Sequence, residues 1–375
     1  LINVIPNLNW SGDGHRSRYF QIRGVGELEQ YQGAPNPSVG FLIDDIDFSG
    51  IGTVATLFDV ESVEVLRGSQ GSRYGANALG GLIYVRSADP SPERDGRAQL
   101  SAGDDDAISL GFAFGGALDE SETMTFRVSA QKHESNGFRS NSYLGREDTN
   151  GRDELALRAR LRYQPSPKLE ANLSVLYSDI DNGYDAFALD NSYTMLSDKP
   201  GRDAQQSTGA SLRLDWSATD LMTLTSVTAI AESDIDFGFD ADWGNDDSWA
   251  PVMYDYVSIN DRSRRTLSQE IRFASTNPNG AQVRAAFSRK PNYSQSSAIA
   301  SRRSMSRMVI VFLSTSIISF LTCGTKSRLL KRLTSRSGRR IWCRYHGTPM
   351  SAAPASSIGA SSANGVMAHP HRFAR

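Results

Sequence analysis

From about Arg97 onward, apolar and polar positions alternate along the chain in runs of about ten residues. The clearest run is ELALRARLRY (154–163), where leucines, Ala159 and Tyr163 alternate with Ala156 and three arginines. Successive side chains of a strand point to opposite faces, so this run predicts a strand with one apolar face and one arginine-rich face. A water-soluble β-sandwich also has a polar face, and this run alone does not distinguish the two architectures.

The succession of runs and connections is more informative than any single run. Strands are predicted at 97–103, 107–117, 123–132, 154–163, 169–178, 208–216, 221–231 and 266–274. Most have the length with which a tilted strand crosses a bilayer. Tight turns lie at 118–122, 164–168 and 217–220, and long polar segments lie at about 133–153, 179–207 and 232–265. Short turns on one side and long loops on the other are typical of an outer-membrane barrel.

Aromatic residues at strand ends support this interpretation. Tyr163, Tyr177 and Trp216 fall beside turns or loops, where the aromatic girdles of membrane barrels lie. No run of 18 or more apolar residues predicts a helical span. The nearest run, 308–323, is shorter and interrupted by Ser and Thr.

Residues 1–92 form a separate unit that precedes the alternating region. Short apolar strands are predicted at Gly40–Ile43, Ser62–Leu66 and Leu82–Val85, with Gly-rich connections between them. Glycine permits positive φ and close backbone approach, which a small unit enclosed in a larger one needs. The polar stretch 87–96 contains two prolines and predicts a linker.

Three ordered blocks of this unit resemble the plug domain of TonB-dependent outer-membrane receptors. They are IRG (22–24), PSVGFLIDDI (37–46) and FDVESVEVLRGSQGSRYGANALGGLIYV (58–85). Ser69 stands where family members typically carry proline. The resemblance extends to about residue 283 and includes TLSQEIRFAS (266–275). The residues that carry the plug motif are Ile22, Arg23, Gly24, Pro37, Asp44, Asp45, Phe58, Glu61, Glu64, Arg67, Gly68, Gly71, Tyr74, Gly75, Gly80 and Gly81.

The resemblance implies a mainly β protein with three parts. Residues 1–92 would be an α+β plug domain, truncated at its N-terminus, and residues 93–283 about eight strands of an antiparallel transmembrane β-barrel. The intact family has about 22 strands, with the plug inside the lumen. Arg23 and Arg67 are then expected to pair with carboxylates of the barrel wall, and Tyr74 to pack at a bend of the chain.

The resemblance also implies a function, which is energised uptake of a scarce nutrient, most often a ferric siderophore. Expected partners are the TonB energising complex, through a TonB box that is missing from this chain, the nutrient ligand, and outer-membrane lipid with lipopolysaccharide. The expected location is the outer membrane of a Gram-negative bacterium. Cobalamin, haem or a carbohydrate are alternative ligands, and a passive structural or adhesive barrel is the alternative function.

Charge and cysteine content divide the chain near residue 284. All 42 Asp and Glu lie in residues 1–270 with 23 of the 40 Lys and Arg, whereas residues 271–375 hold the other 17 and both cysteines. Alternation also stops here, so we interpret 284–375 as a basic Arg- and Ser-rich tail produced by a frameshift, without an assigned domain or a nucleic-acid partner. Leu1 is not Met, and the first residues show neither the basic region nor the small-residue cleavage site of a signal peptide. The chain is therefore predicted to be an incomplete or non-functional fragment of a longer precursor.

Enzyme and metal chemistry find little support in the sequence. The Gly-rich stretch lacks Gly-Lys-Ser/Thr and leads into a strand, which disfavours a P-loop or a dinucleotide site. His346, His369 and His371 with Cys343 fit no zinc spacing. We expect no enzyme activity and no cofactor, with calcium in an acidic loop as the alternative. Its candidate ligands are Asp179, Asp181, Asp185 and Asp190 in one segment and Asp234, Asp236, Asp240, Asp242, Asp246 and Asp247 in the next.

Overall fold

The computed structural model divides the chain into two units, Leu1–Cys323 and Gly324–Arg375. It describes residues 5–28, 37–52, 54, 56–71, 77–219, 222–252 and 254–275. Beyond these residues it describes the backbone of five strands between Gln282 and Ile341. Within the described ranges no helix has both the length and the apolar character needed to cross a membrane.

The N-terminal part of the first unit consists of two small sheets. Its strands are β1 (Leu8–Ser11), β2 (Tyr19–Ile22), β3 (Val39–Ile43), β4 (Ile46–Asp47), β5 (Val60–Arg67) and β6 (Gly81–Ser87). β1 and β2 form an antiparallel pair. The other four strands form a sheet in the order β4-β3-β6-β5, in which β3 and β6 are parallel. The three predicted strands correspond to β3, β5 and β6.

Two of the motif blocks each contain a two-residue turn with positive φ at both positions. Asp44 (φ 48°) and Asp45 (φ 70°) join β3 to β4, while Arg23 (φ 55°) and Gly24 (φ 79°) follow β2. Such turns match the twist of the strands that they join and favour Gly, Asn and Asp. The Arg23-Gly24 pair of the first block and the Asp44-Asp45 pair of the second block therefore meet the conformational requirements of two tight turns.

The core of this part lies between the β1–β2 pair and the four-stranded sheet. All four residues of β2 are buried, and the ring of Phe20 stacks on Phe41 with centroids 5.4 Å apart. The glycine pair at the start of β6 lets the turn after β2 approach closely. A Cβ on Gly80 would lie 2.7 Å from Cγ1 of Val25, and one on Gly81 would lie 2.5 Å from Cδ1 of Ile22. This close approach explains why the glycine run ends with Gly80 and Gly81, where a larger side chain would not fit.

An eleven-stranded sheet, called the wall here, accounts for most of the first unit. Its strands are β7 (Asp95–Ala102), β8 (Ile108–Ala117), β9 (Met124–Ser135), β11 (Arg152–Ser166), β12 (Leu169–Tyr184), β14 (Gly201–Thr219), β15 (Met222–Asp240), β16 (Tyr256–Ser275), β17 (Gln282–Arg303), β18 (Arg307–Ser314) and β19 (Ile317–Gly324). Each strand pairs with the next along the chain, so β7 and β19 are edges and the barrel is not closed. In the long loops, β10 (Ser140–Asn141) pairs in parallel with β13 (Thr194–Met195).

The wall has its apolar face outside and its polar face inside. Leu157, Val175 and Leu212 are about 40% exposed, whereas the inward-facing Arg158 is 7% exposed and Ser211 is 4% exposed. A sandwich buries its apolar face, so this inversion confirms the interpretation as a membrane barrel. The outward-facing Tyr163 and Trp216 lie near the short turns, as predicted. Tyr177 was predicted at a strand end but lies inside β12, which continues to Tyr184.

The predicted fold class is confirmed, with a wall that is longer than expected. The eight predicted strands match β7 to β9, β11, β12 and β14 to β16, and several of these run to between 15 and 20 residues. Three further strands lie within the predicted tail or overlap its start, and β17 pairs with β16 through most of its length. Backbone pairing at a free sheet edge requires no alternating pattern, which is why sequence periodicity did not indicate them.

In the second unit the described backbone is one short antiparallel pair. β20 (Leu333–Thr334) pairs with β21 (Arg340–Ile341). The zinc set that the sequence disfavours, with its Cys and three His, lies outside the described residues.

Gly209 of the wall has no side chain, and residues of the N-terminal part pack into the space that a side chain would occupy. A Cβ at this position would lie 2.7 Å from Cγ2 of Ile46 and 3.0 Å from Cζ of Phe48, both of which are buried. We expect Gly209→Val to lower the free energy of unfolding by about 1–3 kcal/mol because the added methyl groups overpack this contact. Thermal unfolding of the purified chain in detergent measures the loss.

Gly103→Val is the matched control for this substitution. A Cβ on Gly103 meets only the Cβ of Ala107, at 3.7 Å. If both variants lose the same stability, packing between the N-terminal part and the wall at Gly209 is not what limits the fold.

Candidate functional site

The loop between β1 and β2, residues 12–18, is called the latch because it fastens the N-terminal part to the wall. Arg18 is almost fully buried and donates from Nη2 to Oδ1 of Asp203 at 2.6 Å. Its Nη1 donates to Oε1 of Gln205 at 3.1 Å. Both partners lie on β14, near its long-loop end. The arginine and the carboxylate have side chains only 1% and 2% exposed, so the pair is fully desolvated.

Two neighbours of Arg18 extend the latch to further strands. The backbone N–H of His15 donates to Oδ2 of Asp203 at 2.7 Å. The Nε2 atom of His15 lies 2.7 Å from the carbonyl oxygen of Gly183. Burial lowers the pKa of His15, so its ring is neutral at pH 7 and donates from Nε2 to this carbonyl. Arg16 donates from Nε to Oε1 of Glu154 at 3.2 Å.

Arg262 on β16 contacts the latch from the opposite direction. Its Nη1 donates to the hydroxyl oxygen of Tyr19 at 2.8 Å, and its Nη2 is hydrogen-bonded to the carboxylate of Asp13. The latch is therefore held by strands β11, β12, β14 and β16 at their long-loop ends. In a barrel these are the cell-surface ends, so the latch is the outer face of the N-terminal part.

A chain of ring contacts, called the aromatic ladder, leads from the latch into the long loops. His15 meets Tyr184 edge-on at 5.4 Å, and Tyr184 contacts Phe187 at 6.1 Å. Phe187 then stacks on Trp243 at 5.3 Å with 16° between the ring planes. The other members of the ladder are Phe237 and Phe239. Trp243 is 42% exposed, so the ladder ends at the surface.

Asp185 locks two long loops together. Its carboxylate accepts hydrogen bonds from Nδ2 of Asn141 (2.9 Å), Oγ1 of Thr149 (2.7 Å) and Oγ of Ser197 (2.7 Å). All four side chains are buried, and each acceptor bond satisfies a polar group that burial would otherwise leave without a partner. The lock fixes the loops that flank the ladder.

The candidate calcium ligands of the first acidic segment do not converge. Asp185 is occupied by the lock, Asp181 pairs with Arg202 on the outer face of the wall at 2.9 Å, and Asp190 is exposed. Across the described residues no three His, Cys, Asp or Glu side chains are grouped so as to hold a metal. The geometry therefore gives calcium no support.

A polar cavity of about 370 Å³ separates the four-stranded sheet from the wall on the short-turn side of the latch. Asp45 receives a hydrogen bond from the hydroxyl of Tyr84 at 3.0 Å and lies 3.7 Å from Nη1 of Arg213. Burial raises the pKa of Asp45, and the charge of Arg213 opposes this increase. Glu64 of the motif also lines the cavity.

The motif residues serve the architecture of the N-terminal part. Asp44 accepts hydrogen bonds from the backbone N–H and hydroxyl of Ser87, Pro37 is buried, and the ring of Phe58 fills the space above Gly111 of the wall. Gly68 has φ +88°, while Gly71 has open space at its Cβ. Glu61 is exposed. Tyr74 and Gly75, including the predicted bend, lie outside the described residues.

Arg16 and Arg18 contact the wall, and neither was among the arginines that the sequence pointed to. Arg23 and Arg67 are exposed, and no ion pair from either occurs among the described side chains, so their pairing stays a prediction. Sequence reasoning missed Arg16 and Arg18, although their alternation in HRSRY, just before the buried β2, is a usable signal. A second usable signal is a carboxylate at an inward-facing strand position, as at Glu154 on β11 and Asp203 on β14.

The N-terminal part has a recognisable family. Residues 1–82 match the family described as TonB-dependent Receptor Plug Domain. The N-terminal part is a TonB-dependent receptor plug domain. Its two small sheets carry the three motif blocks, and the wall beside it is part of a barrel.

Relatives of known sequence extend the likeness beyond the plug domain. The pesticin receptor of Yersinia pestis is 27% identical over 166 residues, which is 44% of this chain and 24% of the receptor. The vitamin B12 transporter BtuB of Vibrio vulnificus is 32% identical over 107 residues, 28% of this chain and 17% of the transporter. The matched region is thus no more than about a quarter of the length of these relatives.

Solved structures show the same fold. The ferric yersiniabactin uptake receptor FyuA from Yersinia pestis superposes with a TM-score of 0.65 at 19% identity, covering 82% of this chain and 48% of FyuA. BauA, the ferric preacinetobactin receptor of Acinetobacter baumannii, gives 0.55 at 13% identity, covering 84% and 47%. The predicted family and outer-membrane location are confirmed by these matches. The relatives are receptors and transporters.

The buried latch pair predicts an unequal effect of two neighbouring substitutions. Asp203→Ala leaves Arg18 buried without its carboxylate, and we expect it to destabilise the chain by about 3–5 kcal/mol. Arg202→Ala removes only exposed pairs with Asp181 and Asp236, and should cost no more than about 1 kcal/mol. Thermal unfolding in detergent compares the two variants.

Trypsin provides a second measurement, since it cleaves after Arg16 and Arg18. Cleavage in the latch should accelerate in Asp203→Ala and stay at the native rate in Arg202→Ala. Equal cleavage in both variants would show that the pair does not fasten the plug domain.

Proposed function

We propose that the complete protein is a TonB-dependent receptor for energised uptake of a ferric siderophore, and that this chain is its plug domain with part of its barrel. The observation that carries the proposal is the position of the aromatic ladder. It starts on His15 of the plug domain and ends on the exposed Trp243, so a ligand at the surface would touch a group joined to the plug.

The chemistry of the ladder suits a ligand with aromatic or other flat groups. Ring pairs contribute about 0.5–1.5 kcal/mol each beyond their buried area. A second aromatic group lies on the loops, where Arg139 is placed over the rings of Phe138 and Tyr193 at 5.1 and 5.8 Å. Recognition by stacking is also consistent with the acidic surface, which would not attract an anionic chelate from a distance.

The printed names of the relatives support iron as the cargo. FyuA and BauA are described as receptors of ferric siderophores. BtuB is described as a vitamin B12 transporter, and for this reason cobalamin remains the alternative ligand. Haem, a carbohydrate and a passive or adhesive barrel are less supported, since no described feature favours them.

The partners follow from this proposal. The TonB energising complex would act on the plug domain from the periplasm, and lipid with lipopolysaccharide would surround the apolar face of the wall. The inside-out pattern of residues such as Leu157 and Arg158 supports the lipid contact.

The proposal predicts that Phe187→Ala weakens ligand binding. We expect the dissociation constant for a bound ferric siderophore to rise about tenfold, which corresponds to about 1.4 kcal/mol. The substitution removes the ring contacts of Phe187 with Tyr184, Phe239 and Trp243. Quenching of tryptophan fluorescence in the purified chain measures binding, with a panel of ferric siderophores, cobalamin and haem. Phe273→Ala, an exposed phenylalanine on the outer face of the wall, is the matched control.

Three outcomes would count against the proposal. Equal loss in both variants would remove the ladder from the binding site. Binding of cobalamin alone would select the alternative ligand. Uptake of radiolabelled iron by cells that carry the complete gene should stop with a protonophore, and uptake that continues would favour a passive barrel.

A further inference from the structure

The loop between β15 and β16, residues 241–255, carries Trp243 and is called the Trp243 loop. Asp242 organises it from a buried position. Its Oδ1 accepts hydrogen bonds from the N–H of Gly244 at 3.1 Å and from Nε1 of Trp249 at 3.4 Å, and its Oδ2 accepts from the N–H of Tyr256 at 2.7 Å. Both oxygens of this carboxylate are therefore supplied with hydrogen-bond donors.

Asp240, two residues earlier, is buried with less support. It is 5% exposed, its Oδ1 accepts a hydrogen bond from the N–H of Asp242 at 3.2 Å, and the backbone N–H of Trp243 stabilises its charge more weakly. Its Oδ2 is enclosed and has no hydrogen-bond partner. A buried, ionised carboxylate with a vacant oxygen is unfavourable, whereas a protonated one carries no charge.

The charged groups around Asp240 add to this effect. Asp242 and Asp198 face it with like charge. The nearby cation, Lys199, is engaged by Asp198 and Asp255 at 2.8 Å each, and no ion pair reaches Asp240 within the described part of the chain. Burial, followed by the charge of Asp242, raises the pKa of Asp240 to about 7. The outward-facing apolar positions of β15 end at Ile230, so Asp240 lies above the membrane band.

We propose that Asp240 is a proton-operated catch for the Trp243 loop. With Asp240 protonated, the loop stays packed and Trp243 stacks on Phe187. When the proton leaves to water, the buried charge favours an open loop in which the carboxylate is hydrated. The surface end of the aromatic ladder is then assembled in acidic surroundings and loosened as the pH rises toward neutrality. The catch acts in the absence of any ligand, so it does not depend on which nutrient is carried.

The sign of the pH dependence follows from the raised pKa of Asp240. The packed loop holds a proton to higher pH than the open loop, in which Asp240 has an ordinary pKa of about 3.9. The stability of the packed loop is therefore complete below about pH 4 and falls as pH rises toward about 7, with no further loss above. Over this interval the opening equilibrium constant increases by up to about tenfold per pH unit.

Limited proteolysis of the full chain in detergent tests the proposal. Chymotrypsin cleaves after Trp243, Trp249 and Tyr254, and its rate in this loop is measured from pH 5 to pH 8.5. The rate for the native chain is divided by that for Asp240→Asn, which removes the pH dependence of the protease itself. We expect this ratio to rise at least about fivefold between pH 5 and pH 7 and to be nearly constant above pH 7.5.

Asp246→Asn is the matched control, because Asp246 is exposed in the same loop. The ratio of the native rate to the rate for this variant should not change with pH. Asp240→Ser also removes the charge but has a different shape, and it should abolish the pH dependence as Asp240→Asn does. If one of the two variants fails to fold, the other still tests the proposal. A ratio that is flat for both Asp240 variants, or that rises equally for Asp246→Asn, would overturn the catch.

Discussion

Ion pairs and hydrogen bonds from buried arginines hold the plug domain against the wall. Arg18 reaches from the plug to Asp203 with both side chains almost inaccessible, and Arg262 reaches from the wall to Asp13 and Tyr19. Arg158 and Arg160 donate to backbone carbonyls of the plug domain. Each guanidinium loses its hydration on burial and therefore needs its acceptors in place. This requirement determines the position of the plug domain more sharply than apolar packing could.

The same polar interior connects the plug domain to the cell-surface loops. His15 belongs to the latch through Asp203 and to the aromatic ladder through Tyr184. A displacement of Tyr184 would thus change the surroundings of His15, which is itself a latch residue. On the short-turn side, the polar cavity near Asp45 lies between the plug domain and the wall, and Arg160 and Arg213 of the wall line it.

The wall is an open sheet, which affects how the chain behaves by itself. All eight residues of β7 are exposed, and this strand is one of the two sheet edges. Unpaired backbone groups at an edge invite pairing with another chain. The solved receptors are about twice as long as the part that superposes on this chain. Experiments on the isolated chain therefore need detergent and a check for association between copies.

The sequence by itself determined the strand period, the alternation of short turns and long loops, and the motif blocks of the plug domain. These are local properties: a two-residue period puts leucines on one face of β11 and arginines on the other, and Asp44-Asp45 prescribes its turn. Only the tertiary structure decided which side chains meet. Arg18 and Asp203 are 185 residues apart, and the Asp185 lock and the aromatic ladder join separate loops. Such contacts depend on strand register and on the docking of the plug domain, and no local pattern encodes either. For this reason the sequence pointed to Arg23 and Arg67, whose pairing stays a prediction, and missed Arg16 and Arg18, which contact the wall.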